Sequence, residues 1–389
     1  MHDELLHWRS QFPILEKTIY LNSNSLGPMP RAVYDELKTF ADTWASRGVR
    51  AWSDQGGWWD MPITVGNILA DILDAPHGTV SMHQNVSIAE AILLSCFDFR
   101  APRNKIVYTE MNFPSVMYVM EEQKRRGARV VTVPADPSGI TVNLERILAA
   151  IDEETLLVPV SHVLFRSAAI QDAQAIIKRA HEVGALVILD IYQSAGCVPL
   201  SLRELNVDMA VGGSVKWLCG GPGAGYLYVR PDLAQELRPT TTGWQAHARP
   251  FQFETGAIAW GEPAWRFLNG TPHIPALYAA RSGYKIIREI GVQKIRARSQ
   301  ALTAAVLDEA RKRDIQVTCP DSPDQRGGTV ALRVPDGKAV CEELLRREII
   351  CDFRPEAGIR VGPHFFNTEA ECRHIVSEVD GILKDRRLK

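Results

Sequence analysis

Short β-branched runs alternate with amphipathic stretches through the middle of the chain, and this alternation constrains the fold most. Apolar runs without a polar alternation are typical of strands buried on both faces, and strand–helix alternation indicates a mostly parallel sheet covered by helices. The predicted strands cover residues 105–108, 128–133, 156–160, 185–189, 209–211 and 225–229. Ligands of such sheets bind beyond the carboxyl ends of the strands, so we expect the chemistry there.

The pattern changes after about residue 275. A helical region over 278–313, broken near Gly291, precedes predicted strands at 316–318, 329–333 and 359–361. The sequence therefore predicts an α/β chain in three parts. These are an N-terminal segment near the active site (1–50), a large domain with a mostly parallel sheet (51–275) and a small C-terminal α+β domain (276–389).

Charge and composition exclude several function classes. The 389 residues include 44 Lys and Arg against 46 Asp and Glu, a net charge of −2, so no global basic field attracts nucleic acid or an anionic membrane. No apolar run reaches the roughly 18 residues of a membrane span, and the polar N-terminus does not resemble a signal segment. Seven cysteines without a CxxC pair favour reduced thiols over disulfides or a metal site. We expect a cytoplasmic enzyme.

A lysine beside a glycine-rich turn is the first chemical signal. Lys216 follows a short apolar strand and precedes Gly220, Gly221 and Gly223. Glycines place no side chain in the way of a bound group. Taken alone, the lysine is more typical of a solvated surface residue than of a site residue. The segment does not match the phosphate-binding P-loop, the dinucleotide fingerprint or the nucleophile elbow.

A carboxylate at a neighbouring strand end gives the lysine a partner. Asp190 directly follows the strand 185–189, where it is either a helix cap or a site residue, and Gln193 can hydrogen-bond a ligand oxygen. A lysine and a carboxylate at adjacent strand ends are what pyridoxal 5′-phosphate requires. The lysine forms an imine with the cofactor aldehyde, and the carboxylate pairs with the protonated ring nitrogen.

The cofactor also needs a phosphate site and a stacking surface. Asn85, Val86 and Ser87 open a helical stretch whose first N–H groups, with the Ser87 hydroxyl, would bind a dianion. Taken alone, these residues are typical of an ordinary helix cap. Phe113 either stacks on the pyridine ring or belongs to the core. Together these residues predict pyridoxal 5′-phosphate as the cofactor.

Eight segments spread over nearly the whole chain carry a family resemblance. They read YLNSNSLGPMP, MNFPS, SHVLFRSAAIQD, DIYQSAGCVPL, GGSVKWLCGGPG, GWQAHARPFQF, FLNGTP and CDFRPEAGIRVGPHFFNT. Their order and content resemble the class V group of fold-type-I pyridoxal-phosphate enzymes, and within it the kynureninase family. The resemblance implies the fold-type-I transferase fold.

The resemblance also implies a role for each site residue. Lys216 would be the imine-forming lysine and Asp190 the ring-nitrogen partner, both catalytic. The implied cofactor-binding residues are Val86, Ser87, Phe113, Asp190, Gln193, Ser214, Lys216, Trp244 and Thr271. The implied substrate-binding residues are Asn24, Ser25 and Arg360, the last holding the α-carboxylate of an amino acid through two parallel N–H bonds. A homodimer is implied, with Thr271 reaching across the interface to the active site.

Three positions depart from the kynureninase pattern. Val215 replaces the usual tyrosine before the lysine, Val116 replaces an aspartate, and Gln193 replaces a histidine. The lost tyrosine removes a phosphate contact, and Tyr192 and Tyr118 are candidates to replace it.

The activity implied by the resemblance is hydrolysis of the Cβ–Cγ bond of L-kynurenine or a related substrate, giving an anthranilate and alanine. The alternatives are a class V C–S lyase, a cysteine desulfurase using Cys351, an aminotransferase, or an inactive cofactor-binding homologue. A binding module or hydrolase without the cofactor is a further alternative. Trp52, Trp58 and Trp59 either line an aromatic substrate pocket or pack the N-terminal segment.

Overall fold

A seven-stranded sheet is the centre of the larger part of the molecule. The computed structural model describes residues 4–54 and 56–387, so the first three residues, residue 55 and the last two lie outside it. Across all sheets, the strands of the described residues are β1 (Ile19–Tyr20), β2 (Val80–His83), β3 (Lys105–Thr109), β4 (Arg129–Val133), β5 (Thr155–Ser161), β6 (Leu186–Asp190), β7 (Met209–Gly213), β8 (Gly225–Val229), β9 (Gln316–Val317), β10 (Val330–Arg333), β11 (Ile349–Ile350), β12 (Asp352–Arg354) and β13 (Gly358–Val361).

The large sheet has the order β2-β8-β7-β6-β5-β3-β4. Strands β3 to β7 are parallel, whereas β8 runs antiparallel to both β7 and β2. The predicted α/β class is confirmed, and each of the six predicted strands lies within two residues of its predicted bounds. Strand β2 was not predicted, because its four residues precede a helix almost directly and show no run of β-branched residues.

Helices cover the sheet and connect its strands. The α-helices are α1 (Val33–Arg47), α2 (Met61–Leu73), α3 (Val86–Leu94), α4 (Pro114–Glu122), α5 (Leu144–Ala150), α6 (Ala173–Glu182), α7 (Leu202–Leu205), α8 (Pro231–Glu236), α9 (Ile274–Ile290), α10 (Val292–Lys312), α11 (Gly337–Arg346) and α12 (Glu369–Arg387). The predicted break at Gly291 separates α9 from α10, where the glycine adopts φ +82°. Among the described residues, no helix is both long and apolar enough to cross a membrane.

A second, four-stranded sheet forms near the C-terminus. Its order is β12-β13-β10-β9, all antiparallel, and its apolar core includes side chains from α10, α11 and α12. The N-terminal segment joins this part of the chain, because β1 pairs in parallel with β11 and the Leu21 side chain is buried in the same core. The segment then contacts the residues that follow β7, where the Gly27 N–H donates to the Val215 carbonyl oxygen over 2.6 Å.

The strand that carries Asp190 is anchored at its other end by a buried aspartate. Asp208 is fully buried, and one carboxylate oxygen accepts the Val187 N–H (2.8 Å) and contacts His181 Nε2 (3.0 Å). The other oxygen accepts an Arg230 N–H over 2.8 Å. Asp208 directly precedes β7, so its carboxylate links β7 both to Val187 of β6 and to Arg230, which follows β8.

We expect Asp208→Ala to lower the free energy of unfolding by about 3–5 kcal/mol, because the half-buried Arg230 and the buried Val187 N–H lose their fully buried partner. Asp232→Ala is the matched control, since Asp232 pairs with the same arginine at the surface, where a lost ion pair costs about 0–1 kcal/mol. Urea denaturation of both variants measures the difference. Equal stability of the two variants would contradict this account of β6.

Candidate active site

A cavity of about 460 Å³ opens at the carboxyl edge of the large sheet. It lies between the ends of β5 and β6, the starts of α3 and α4, and the segment after β7. Its lining residues are Asn85, Val86, Ser87, Ile88, Phe113, Ser115, Val116, Ser161, Val163, Phe165, Asp190, Tyr192, Gln193 and Lys216. Six of the predicted site residues thus line one cavity: Val86, Ser87, Phe113, Asp190, Gln193 and Lys216.

Asp190 forms the floor of the cavity at the last position of β6. Ser161 lies beside it on β5 in the parallel register, and its hydroxyl donates to Asp190 Oδ2 over 3.0 Å. The Tyr192 N–H donates to Oδ1 over 2.9 Å. Burial raises the pKa of this carboxyl, while these two bonds and the charge of Lys216 act in the opposite direction. Sequence analysis missed Ser161, whose only signal was its place at the end of a strand on the same sheet edge.

Lys216 extends into the cavity between two aromatic rings. Its Nζ lies 4.2 Å from the ring centroid of Tyr192 and 5.3 Å from that of Phe113. Burial lowers the pKa of the ammonium to about 8, against the favourable charge of Asp190. An amine with such a pKa is partly neutral near physiological pH, and a neutral amine is the form that attacks a carbonyl carbon.

The N-terminus of α3 forms one wall of the cavity. Asn85 is its N-cap, accepting the Ile88 N–H over 3.0 Å, so the N–H groups of Val86 and Ser87 stay available to an anion. Gly225 makes this arrangement possible, because a Cβ there would lie 2.7 Å from the Asn85 backbone. The helix start can therefore lie directly against the sheet.

Two predicted site residues tie the N-terminal segment to the cavity. Gln193 donates to the Asn24 carbonyl oxygen (3.0 Å) and accepts the Trp217 indole N–H (3.0 Å). The Asn24 side-chain amide is buried, and neither of its polar atoms has a partner among the described residues. The Ser25 hydroxyl accepts an Arg354 N–H over 3.4 Å. Asn24 and Ser25 lie beside the cavity but do not line it, whereas Gln193 does.

Arg360 lies behind the cavity wall, held by a carboxylate on the opposite strand. Asp352 faces it in the β12–β13 register and accepts two N–H groups, from Nε (2.8 Å) and Nη2 (2.5 Å). Nη1 donates to the carbonyl oxygen of Phe165, a lining residue, over 2.8 Å. Three of the five guanidinium N–H groups are thus used, and one remains on each terminal nitrogen.

The remaining predicted cofactor ligands lie outside the cavity. The Ser214 hydroxyl is buried and engaged by the Tyr284 hydroxyl and the Ala224 carbonyl oxygen. Thr271 is exposed, and Trp244 lies in an exposed aromatic cluster. We define this aromatic cluster as Trp59, Trp244, Phe251, Phe253 and Trp265.

The three candidate tryptophans of the N-terminal region also lie apart from the cavity. Trp58 is buried, stacks on Phe40 and contacts Trp52 edge-on. Its indole N–H donates to the Tyr278 hydroxyl over 3.3 Å. Trp59 belongs to the aromatic cluster. Within one chain, none of the three lines the cavity: Trp58 packs against Trp52 and against Phe40 of α1, and Trp59 packs in the aromatic cluster.

Comparison with known proteins identifies the family. A sequence model described as aminotransferase class V matches residues 19–365. The chain belongs to the aminotransferase class V family. It is 31% identical to a kynureninase of Pseudomonas fluorescens, over 99% of this chain and 94% of that protein. It is equally identical to an uncharacterized aminotransferase, YcbU, of Bacillus subtilis (strain 168), over 96% of each chain.

The solved structures similar to this chain confirm the fold. A cysteine desulfurase from Thermococcus onnurineus NA1 superposes with a TM-score of 0.85 at 20% identity, covering 97% of this chain and 98% of that one. A cystine C–S lyase in complex with cysteine persulfide also has a TM-score of 0.85, at 19% identity, covering 95% of this chain and 99% of that one.

Family membership confirms the predicted cofactor class, pyridoxal 5′-phosphate, and the cavity fits that group. It joins an amine of lowered pKa, a buried carboxylate and the uncapped N–H groups of a helix start, which suit an aldehyde, a ring nitrogen and a phosphate respectively. The residues that would hold it are Lys216, Asp190, Val86 and Ser87. Their individual roles stay predictions.

We expect the reactivity of Lys216 toward an amine-specific reagent in the cofactor-free chain to rise with a midpoint near pH 8. An ordinary lysine has a midpoint about two units higher. In Asp190→Asn the midpoint should fall, because the charge of Asp190 favours the ammonium. Mass spectrometry of labelled peptides across pH gives the midpoint. A midpoint near 10.5, or one that rises in Asp190→Asn, would contradict the assigned environment.

Proposed function

We propose that the protein is a kynureninase-type hydrolase, which cleaves the Cβ–Cγ bond of L-kynurenine or a related amino acid. Water adds its oxygen to the released acyl group, giving an anthranilate, and the Cβ fragment leaves as alanine. The observation that carries the proposal is the composition of the cavity around Lys216. Beside the amine and Asp190, half of the lining residues are apolar or aromatic, which suits an aryl side chain: Val86, Ile88, Phe113, Val116, Val163, Phe165 and Tyr192. The kynureninase relatives at 27–31% identity support the same assignment. We place the enzyme in the cytoplasm.

Pyridoxal 5′-phosphate, when bound, supplies an electron sink for the bonds around Cα of the amino acid. Asp190 would keep the ring nitrogen protonated, because its carboxylate is fixed by Ser161 and by the Tyr192 N–H. Lys216 would accept the proton from Cα and return it, a task that suits an amine with a pKa of about 8.

Arg360 would hold the α-carboxylate of the amino acid. Two of its N–H groups, one on each Nη, are not used by Asp352 or the Phe165 carbonyl oxygen and would donate to that carboxylate. Asp352 and the Phe165 carbonyl oxygen would fix the orientation of the guanidinium.

A cysteine desulfurase needs a thiol that reaches the substrate, and the cavity offers none. No lining residue is a cysteine. Cys351, the candidate thiol, is buried with its sulfur 3.7 Å from that of Cys341. This contact and burial raise its pKa well above the ordinary value, so that the reactive thiolate is disfavoured. A C–S lyase or an aminotransferase needs no such thiol and stays the alternative.

To test the proposal, purified enzyme loaded with pyridoxal 5′-phosphate is incubated separately with L-kynurenine, 3-hydroxykynurenine, cystine and cysteine conjugates. We expect the corresponding anthranilate and alanine in equimolar amounts from the first two, measured by fluorescence and amino-acid analysis. Lys216→Ala is the control and should form neither product. If the sulfur substrates give pyruvate and sulfide while the other two give no anthranilate, the kynureninase proposal is refuted and the protein is a C–S lyase.

We also propose that the enzyme works as a homodimer. Trp244 and Thr271, which the family resemblance places at the cofactor, do not line the cavity within one chain. The aromatic cluster around Trp244 has large exposed rings, with Phe251 55% and Phe253 72% exposed. A second copy that covers the cluster would bury this apolar surface and complete the site.

Phe253→Glu should therefore shift the protein from dimer to monomer and weaken cofactor binding together, because a charge would be buried in the interface. Leu345→Glu, which alters an exposed side chain on α11, is the control and should stay dimeric. Sedimentation velocity measures the oligomeric state of each variant, and absorbance titration measures its affinity for pyridoxal 5′-phosphate. A monomeric parent protein, or a dimeric Phe253→Glu variant with full cofactor affinity, would overturn the proposed interface.

A further inference from the structure

Tyr192 lines the cavity at a position that brings its side chain against the reactive lysine. It follows Asp190 by two residues, and its ring centroid lies 4.2 Å from Lys216 Nζ. The other candidate tyrosine, Tyr118, is 68% exposed and does not line the cavity. Only Tyr192, of these two, can act on a group bound there.

The hydroxyl of Tyr192 lies against Gly213, the last residue of β7. A Cβ on Gly213 would come within 2.4 Å of the hydroxyl oxygen, so the glycine makes room for the phenol. Gly213 pairs directly with Gly225 across β7 and β8, and Gly225 packs against the backbone of Asn85, the cap of α3. One pair of facing glycines thus separates the hydroxyl from the residue that caps α3, and Tyr192, Val86 and Ser87 line the same cavity.

This hydroxyl is a free, neutral donor. It forms no hydrogen bond with the residues that the structure describes, and Tyr192 is half-buried at the cavity wall. Burial and the charge of Asp190 raise the pKa of the phenol above its ordinary value, so the proton stays on oxygen at every physiological pH. By contrast, the hydroxyl of Ser214, a predicted phosphate ligand, is already hydrogen-bonded to the Ala224 carbonyl oxygen and the Tyr284 hydroxyl outside the cavity.

We propose that the Tyr192 hydroxyl donates a hydrogen bond to the phosphate group of the cofactor. It would act beside the N–H groups of Val86 and Ser87. The inference rests on the proposed use of this cavity for pyridoxal 5′-phosphate. It assigns to a residue after β6 the phosphate contact that Val215 cannot make.

The test compares Tyr192→Phe with the parent chain for two ligands, pyridoxal 5′-phosphate and pyridoxal, which lacks the phosphate. Binding to the cofactor-free chain is measured by absorbance titration. We expect the dissociation constant for pyridoxal 5′-phosphate to rise about 10- to 100-fold, since one hydrogen bond to a charged group is lost. The constant for pyridoxal should change less than twofold, because the ring beside Lys216 is retained.

Tyr226→Phe is the matched control. The Tyr226 hydroxyl also lies against a glycine of β7, Gly212, and also lacks a partner, but it is fully buried and does not line the cavity. Its removal should leave both dissociation constants unchanged.

The possible results separate this inference from the proposed function. An unchanged affinity of Tyr192→Phe for pyridoxal 5′-phosphate, or an equal loss for both ligands, would overturn the assigned contact while leaving the cofactor assignment intact. A parent chain that binds neither ligand would instead refute the use of the cavity for this cofactor.

Discussion

The site depends on the burial of one carboxylate and one amine in the same cavity. Asp190 and Lys216 each lose hydration, which raises the pKa of the carboxyl and lowers the pKa of the ammonium, and each charge partly offsets the cost for the other. The two side chains keep their positions because the backbone that carries Asp190 is part of the parallel sheet. Ser161 on the neighbouring strand donates to the Asp190 carboxylate, and Asp208 accepts the Val187 N–H near the opposite end of β6.

Under the proposed function, the two sheets of the chain contribute different parts of the site. The lysine, the carboxylate and the start of α3 line the cavity at the edge of the large sheet, whereas the small sheet carries Arg360, the proposed carboxylate ligand, with its partner Asp352. The N-terminal segment links them, since β1 pairs with β11 and Asn24 accepts a hydrogen bond from Gln193. A ligand whose carboxylate binds Arg360 and whose amine lies at Lys216 would therefore contact both sheets.

Sequence patterns predict the strand ends well, because a run of buried apolar residues followed by a polar one marks both the strand and its carboxyl edge. Asp190 and Lys216 were placed in this way. Ser161 was missed, since a serine after a strand has no signal until the register puts it opposite Asp190. The pairing of β1 with β11 joins residues some 330 positions apart in two-residue strands, which no local pattern encodes. Trp244 and Thr271 lie outside the cavity of one chain, so their predicted role at the cofactor depends on the proposed dimer.

The proposed chemistry requires Lys216 to bond covalently to the aldehyde carbon of pyridoxal 5′-phosphate. Borohydride reduction of the cofactor-saturated protein, followed by peptide mass mapping, detects that bond. We expect one reduced cofactor adduct per chain, on the peptide that contains Lys216 and at that residue. An unmodified Lys216 peptide after reduction, or an adduct at another lysine, would refute the proposed role of Lys216.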